Sequence, residues 1–364
     1  MLTRPALVGG FGNSYENSLN INNKNKNYTR LPARKGGSVC IQKKMFSTMV
    51  VLRDSNKSHN INLGPYLAGL IEGDGTFAIH ISNSLSIRYR PKIIIVFKKA
   101  DLPLAQYLHN LTKCGTIYIK PERGYILWQI QDIVGVYTIV SIINGYMRGP
   151  KIEALNRTIQ WLNEYIDKNQ NTNTSIIKSI LSNISKLEIK GIDNSPIDSN
   201  PWLAGFSDAD SNFSINIHKR SNKNSTRVQL YYRLEIKQTY HRLNNNGDEV
   251  SFFPIMSKVS KFLGTTLLSR TRNKEDKEFY SFIATAYSKT SINIIIQYFT
   301  KFPLLSSKYL DFLSFTDVFY LQEANSLTTS YLDKALLIRK DFNKTRTTYT
   351  WKHLNNCYLT KKDF

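Results

Sequence analysis

Apolar positions in this chain follow two alternating rhythms, and the order of those rhythms occurs twice. Leu63, Leu67, Leu70 and Ile71 recur at helical spacing, and Gly73 and Gly75 act as stop signals, so residues 63–73 read as a helix. Phe77, Ile79 and Ile81 then alternate with Ala78, His80 and Ser82, and Ile87, Tyr89 and Ile93 alternate with Arg88, Arg90 and Lys92. A period of two is the mark of a half-buried strand. A helix near 101–112, strands near 115–120 and 125–131, and helices near 132–144 and 151–166 complete an αββαββα unit.

The second half repeats this order. A helix at 201–209 precedes a strand in which Phe213, Ile215 and Ile217 alternate with Asn212, Ser214, Asn216 and His218. In the next strand Arg227, Gln229, Tyr231, Arg233, Glu235 and Lys237 share one face, and Val228, Leu230, Tyr232, Leu234 and Ile236 share the other. That pattern predicts an antiparallel sheet with one buried and one solvated face. The polar insertion HRLNNNGDE, a helix near 254–263, strands near 265–272 and 278–284, and helices near 287–299 and 307–323 follow. The expected boundaries are a basic, poorly ordered extension at 1–60, a first domain at 61–166 and a linker at 167–199 with a helix near 175–187. A second domain at 200–325 and a basic tail at 326–364 complete the chain.

The first helix of each half carries the same motif: LAGLIEGDG at 67–75 and LAGFSDADS at 203–211, 136 residues apart. Ala68, Gly69, Ala204 and Gly205 are nearly bare backbone, so two such helices can approach more closely than the usual ~8–10 Å. Packed together, they bring Asp74 and Asp210 to the same end. A carboxylate there opposes the helix dipole, and two neighbouring carboxylates repel each other. A divalent cation reverses both terms, and oxygen ligands without nearby Cys or His favour Mg²⁺ over zinc. A single such motif reads more readily as a glycine-terminated core helix with an exposed acidic turn; its recurrence at domain spacing, each copy followed by strands with polar faces in a strongly basic chain, favours function.

Charge adds a partner. The 364-residue chain has a formal net charge of +22, more than solvation requires, which implies nucleic acid or an anionic surface. Residues 201–364 carry 24 Lys and Arg against 14 acids, and residues 61–200 carry 15 against 11, so the halves need not grip a partner equally. No apolar run reaches ~18 residues, which excludes a membrane-spanning helix. Cys40, Cys114 and Cys357 are too scattered for a disulfide framework or structural zinc and fit a reducing compartment.

LAGLIEGDG and LAGFSDADS resemble the two motifs of the LAGLIDADG homing endonucleases in their single-chain, double-motif form, over about 62–323. The resemblance implies an α+β fold of two pseudo-symmetric αββαββα domains packed through their motif helices, with antiparallel sheets forming a DNA-binding saddle. It implies cleavage of a long asymmetric double-stranded DNA site by a monomer, with Mg²⁺ held by Asp74 and Asp210 (Mn²⁺ or Ca²⁺ substituting for binding) and carbonyls from Gly73 and Ala209. Glu72 and Asp208 occupy the earlier acidic position, which the family does not use as the main ligand. Ser211 departs from the usual glycine, but it is small and the acidic position is kept. Lys98 in IVFKKAD aligns with Gln238 in EIKQTYH, and Lys151 in RGPKIEAL with Lys308 in LLSSKYLD, as groups that hold water or stabilise phosphate charge.

The solvated strand faces supply the expected DNA contacts. These are His80, Ser82, Arg88, Arg90, Lys92, Tyr118, Lys120 and Gln129 in the first unit, and Asn216, His218, Arg220, Arg227, Gln229, Tyr231, Arg233 and Lys237 in the second. The start TRPALVGGFGN resembles a stretch of cytochrome oxidase subunit 1, as in a frame fused to an upstream exon, which with the family points to a mitochondrial intron. Two other readings stay open: a maturase binding its host intron RNA, alone or alongside cleavage, and a DNA-binding protein with a decayed active site.

Overall fold

The computed structural model describes residues 60–79, 90–219, 226–243, 247–274, 277–325 and 329–360. His80, Ser82, Arg88, Arg220 and the extension before residue 60 lie outside them. The first repeat runs α1 (Leu63–Asp74), β1 (Gly75–Ala78), β2 (Lys92–Lys98), α2 (Leu102–Thr112), β3 (Thr116–Lys120), β4 (Tyr125–Ile130), α3 (Ile133–Ile143) and α4 (Ile152–Asn169). A short helix α5 (Ser175–Leu181) lies in the connection. The second repeat runs α6 (Trp202–Asp210), β5 (Ser211–Lys219), β6 (Thr226–Lys237), β7 (Thr239–Leu243), β8 (Glu249–Ser251), α7 (Phe253–Phe262), β9 (Leu267–Lys274), β10 (Lys277–Ala286), α8 (Lys289–Lys301) and α9 (Lys308–Asn325). Helix α10 (Thr329–Lys340) follows.

Each repeat builds a four-stranded antiparallel sheet, ordered β1-β2-β4-β3 and β5-β6-β10-β9. Period-two alternation buries one face. Phe77, Ile93, Ile95, Ile126 and Trp128 in the first sheet, and Phe213, Leu230, Tyr232, Leu234 and Ala284 in the second, join a core cluster that runs through both repeats. The other faces are open. Register puts Lys92, Ile94, Val96 and Lys98 of β2 there beside Gln129, Leu127 and Tyr125 of β4 and Thr116, Tyr118 and Lys120 of β3. In the second sheet Asn212, Ser214, Asn216 and His218 of β5 face out beside Arg227, Gln229, Tyr231 and Arg233 of β6. Of the alternation read over 87–93, residues 87–89 lie outside the described residues; the described strand is β2 at Lys92–Lys98, which starts after Pro91.

Three segments differ from the sequence reading. The insertion forms the hairpin β7–β8, which has no counterpart among the described residues of the first repeat. Helix α5 stops at Leu181 rather than 187, because the Asn163 side chain accepts the Leu187 N–H (2.9 Å) and donates to its carbonyl (2.9 Å), holding the chain out of helix. The C-terminal segment folds back over both repeats. Tyr358 packs edge-on against Tyr66 and Phe302, its carbonyl accepts from Asn60 Nδ2 (2.7 Å), and His353 stacks on Tyr309. Cys114 and Cys357 are buried and unpaired. No helix among the described residues is long and apolar enough to cross a membrane.

The repeats meet through α1 and α6. A Cβ at Gly69 would overlap the Trp202 carbonyl oxygen and lie 2.8 Å from the Phe206 nitrogen. A Cβ at Gly205 would overlap the Tyr66 carbonyl oxygen and lie 2.8 Å from the Leu70 nitrogen. The obstructing atoms are backbone, which cannot rotate away. Gly69→Ala and Gly205→Ala are therefore expected to lower unfolding stability by about 1–3 kcal/mol or more each, read from urea midpoints. Gly191→Ala, whose Cβ would meet nothing within 4 Å, should stay within about 0.5 kcal/mol of the parent.

Candidate active site

Because α1 and α6 cross at matching glycines, each motif position faces its counterpart. The earlier acidic residues turn inward. Glu72 is buried and accepts hydrogen bonds from the Arg148 amide (3.1 Å), the Gly149 amide and the Trp202 indole N–H of the opposite helix (2.6 Å). Asp208 is buried too and accepts from the Tyr66 hydroxyl of the opposite helix (2.8 Å), the Leu305 and Ser306 amides (2.8 and 3.1 Å) and the Ser306 hydroxyl (2.5 Å). The two sets are equivalent: an aromatic donor from the residue before LAG of the partner helix, and two amides from the loop ahead of the last helix of its own repeat. Burial pushes the Glu72 carboxyl up to about 7 against these donors, and raises Asp208 as well.

The loops held this way lead into the two lysines. Lys151 Nζ donates to the carbonyls of Ile71 (3.1 Å), Gly73 (2.8 Å) and Gly75 (2.7 Å), and Lys308 Nζ donates to those of Ser207 (3.0 Å) and Ala209 (2.8 Å). Each lysine thus covers the last carbonyls of its own motif helix, those of Gly73 and Ala209 among them, where a cation favours the dipole. All three donors of Lys151 are occupied, so its contribution is charge and positioning rather than a hydrogen bond to a substrate oxygen. The carbonyls of Gly73 and Ala209 already accept from these ammonium groups. Burial lowers both lysines' pKa values, and Asp74 and Asp210 raise them in return.

Asp74 and Asp210 end the two helices. A Cβ at Gly73 would overlap the Ala209 methyl and lie 3.0 Å from Asp210 Oδ2, so bare backbone admits the Asp210 carboxylate. Among the described residues, no hydrogen bond or ion pair is recorded to either carboxylate. Burial, then the charge of Asp210, pushes Asp74 up to about 7; Lys308 and Lys151 oppose the rise. Burial raises Asp210, opposed by Lys151 and Lys308. Two unpartnered carboxylates with only oxygen donors nearby fit a hard divalent cation. No group of three or more His, Cys, Asp or Glu among the described residues could hold a metal, so coordination would have to be completed by water and a substrate phosphate.

Of the remaining expectations, Lys98 ends β2 on the open face, and its charge acts on Lys308. Gln238 is not its equivalent. Gly75 pairs with Ile95 and Ser211 with Leu234, so register matches Lys98 with Lys237. The Gln238 side chain instead donates to Ser269 Oγ (2.5 Å) beyond the end of β6. Lys92, Tyr118, Lys120, Gln129, Asn216, His218, Arg227, Gln229, Tyr231, Arg233 and Lys237 all stand on the open sheet faces, and Arg90 precedes β2. Sequence reasoning missed Tyr66 and Trp202 as partners of the buried acids. Their place just before LAG in both motifs was the available signal.

Comparison with known proteins places the fold and the family. The sequence profile of the LAGLIDADG endonucleases matches at residues 67–162 and again at 203–319. The intron-encoded DNA endonuclease aI3 of Saccharomyces cerevisiae is 42% identical, over 99% of this chain and 83% of its own length. An uncharacterized cox1 intron-2 protein of 37.2 kDa from Schizosaccharomyces pombe is 28% identical, over 78% of this chain and 72% of its own. The fold superposes, with TM-score 0.53 and 17% identity, on I-SmaMI bound to an uncleaved DNA target in the presence of calcium ions, covering 78% of this chain and 99% of that one. The cross-helix bonds carry a test: Tyr66→Phe leaves buried Asp208 one donor short and should cost about 1–3 kcal/mol in urea unfolding at pH 8.

Proposed function

The chain belongs to the LAGLIDADG endonuclease family, and we propose that it hydrolyses both strands of one long, asymmetric double-stranded DNA site with a divalent cation, Mg²⁺ by preference, held by Asp74 and Asp210. The observation that carries this reading is the pair of unpartnered carboxylates at the ends of two touching helices. Two lysines flank them, and two open antiparallel sheets extend from the same helix ends. When bound, the metal supplies Lewis-acid activation and neutralises phosphate charge. Asp74 and Asp210 would hold it, and Lys151 and Lys308 offset the negative charge of the carboxylates and helix C-termini towards an approaching phosphate. Lys98 and Lys237 stand at equivalent points on the open faces, where a DNA backbone would pass. Their charges there favour the developing negative charge.

The halves differ in sequence on these faces, so the site they read is asymmetric, and one chain supplies both halves as a monomer. The likeness to relatives from intron reading frames, one of them in cox1, supports a mitochondrial intron as the gene's seat and the matrix as the place of action.

Incubated with DNA spanning the uninterrupted host-gene junction, the full chain should cut at one place with Mg²⁺ and not without it. Asp74→Asn/Asp210→Asn should abolish cutting while leaving DNA binding. Folded protein that binds but never cuts would shift the reading to intron RNA as the partner. The pH dependence has a definite sign. Asp74 sits at about 7 without metal, so protons compete with the cation below that, and cleavage should rise from pH 6 to pH 8. In metal-free protein the same raised pKa makes stability fall as pH climbs from the unfolded-state value near ~3.9 through ~7. The double Asn variant should flatten that fall in thermal unfolding.

A further inference from the structure

Outside the candidate active site, a cluster of three charged side chains stands on the open face of the second sheet. Glu235 of β6 pairs across the sheet with Ile283 of β10, which pairs in turn with Leu268 of β9. Its carboxylate reaches over the small Ser281, whose hydroxyl donates to Oε1 (2.8 Å). There it meets two arginines of the edge strand: Arg272 Nη2 donates to Oε1, and Arg270 Nη1 lies 3.7 Å from Oε2. Glu235 is 20% exposed, and Arg270 and Arg272 are 45% and 40% exposed. Arg272 is held through Nη2 alone, its Nε being buried, and Arg270 is held at ion-pair rather than hydrogen-bond distance. Both guanidinium groups therefore keep unused donors while being held in place.

We propose that Arg270 and Arg272, held by Glu235, read guanine in the half-site that lies under the second sheet. The proposal rests on the endonuclease reading above and adds to it a specificity element that the strand pattern alone did not single out. Three physical points support it. A planar guanidinium fork matches the O6 and N7 acceptors of guanine, the commonest specific contact in the major groove. Side chains already fixed by a carboxylate lose less rotamer freedom on binding. Glu235 also discriminates between targets: a carboxylate next to the fork repels a phosphate at the same guanidinium but tolerates the neutral acceptors of a base edge. With Arg272 and Ser281 on Oε1 and Arg270 beside Oε2, the carboxylate itself is poorly placed to accept from cytosine.

The test compares base preference, not affinity alone. Full-length wild type, Arg270→Lys, Arg272→Lys and Glu235→Gln are each used to select binding sites from randomised duplex DNA in Ca²⁺, with thermal unfolding run alongside to confirm folding. Wild type should show one or two positions in one half-site where a G·C pair in one orientation is preferred by about 10-fold or more. Each Lys variant keeps its charge but loses the fork. It should lower the preference at one of those positions to below about 3-fold, with total affinity and other positions little changed. Glu235→Gln should relax the same positions without weakening total binding, because it removes a negative charge. A uniform loss of affinity with unchanged preference would assign the arginines to phosphates and overturn the proposal. So would a preference lost in Glu235→Gln but kept in both Lys variants, which would assign the base contact to Glu235. Absence of any selected sequence with wild type would instead count against the endonuclease reading itself.

Discussion

The backbone contact of α1 with α6 at Gly69 and Gly205 constrains every functional group of this protein. At a side-chain-separated crossing, Asp74 and Asp210 would stand farther apart. Here the helices touch through carbonyl and amide atoms, and Gly73 against Ala209 admits the Asp210 carboxylate between them. The closeness that makes the site also makes it electrostatically unfavourable. Two buried carboxylates at two helix C-termini are destabilising until a cation or proton joins them.

The surrounding structure offsets that cost with four groups used twice. Glu72 and Asp208 are spent on structure rather than chemistry: each draws in an aromatic donor from the other helix and the amides of a distant loop. Those loops deliver Lys151 and Lys308 onto the carbonyls at the helix ends. The earlier and later acidic positions of one short motif thus have opposite fates, one saturated with donors and the other left open. That difference separates a structural carboxylate from one able to take a metal.

The two-fold repetition does not extend to the open faces. At the centre of the first, Ile94, Val96 and Leu127 stand half-buried, whereas the second carries Arg233, Glu235, Arg270 and Arg272 at its centre and edge. The repeats therefore share the geometry at their motif ends while presenting different chemistry to whatever lies on their sheets. The inserted β7–β8 hairpin and the returning C-terminal segment add further asymmetry.

Period-two and helical spacing were enough to place the helices and most strands, because burial of one face imposes those periods whatever the tertiary partner. The doubled motif likewise singled out Asp74 and Asp210, which hold the same place in each copy, whereas Lys151 and Lys308 lie at different distances from their motifs and were matched through the segments RGPKIEAL and LLSSKYLD. What the sequence left undetermined were relations between residues far apart in the chain. The equivalence of Lys98 with Lys237 rather than Gln238 rests on strand register, which a motif alignment can miss by one residue. The shortened α5 rests on Asn163 meeting Leu187, and the arginine pair on β9 on Glu235 crossing a strand to reach it. The fates of Glu72 and Asp208 were decided by Trp202, Tyr66 and two loop amide pairs, brought together only when two bare helix faces closed on each other.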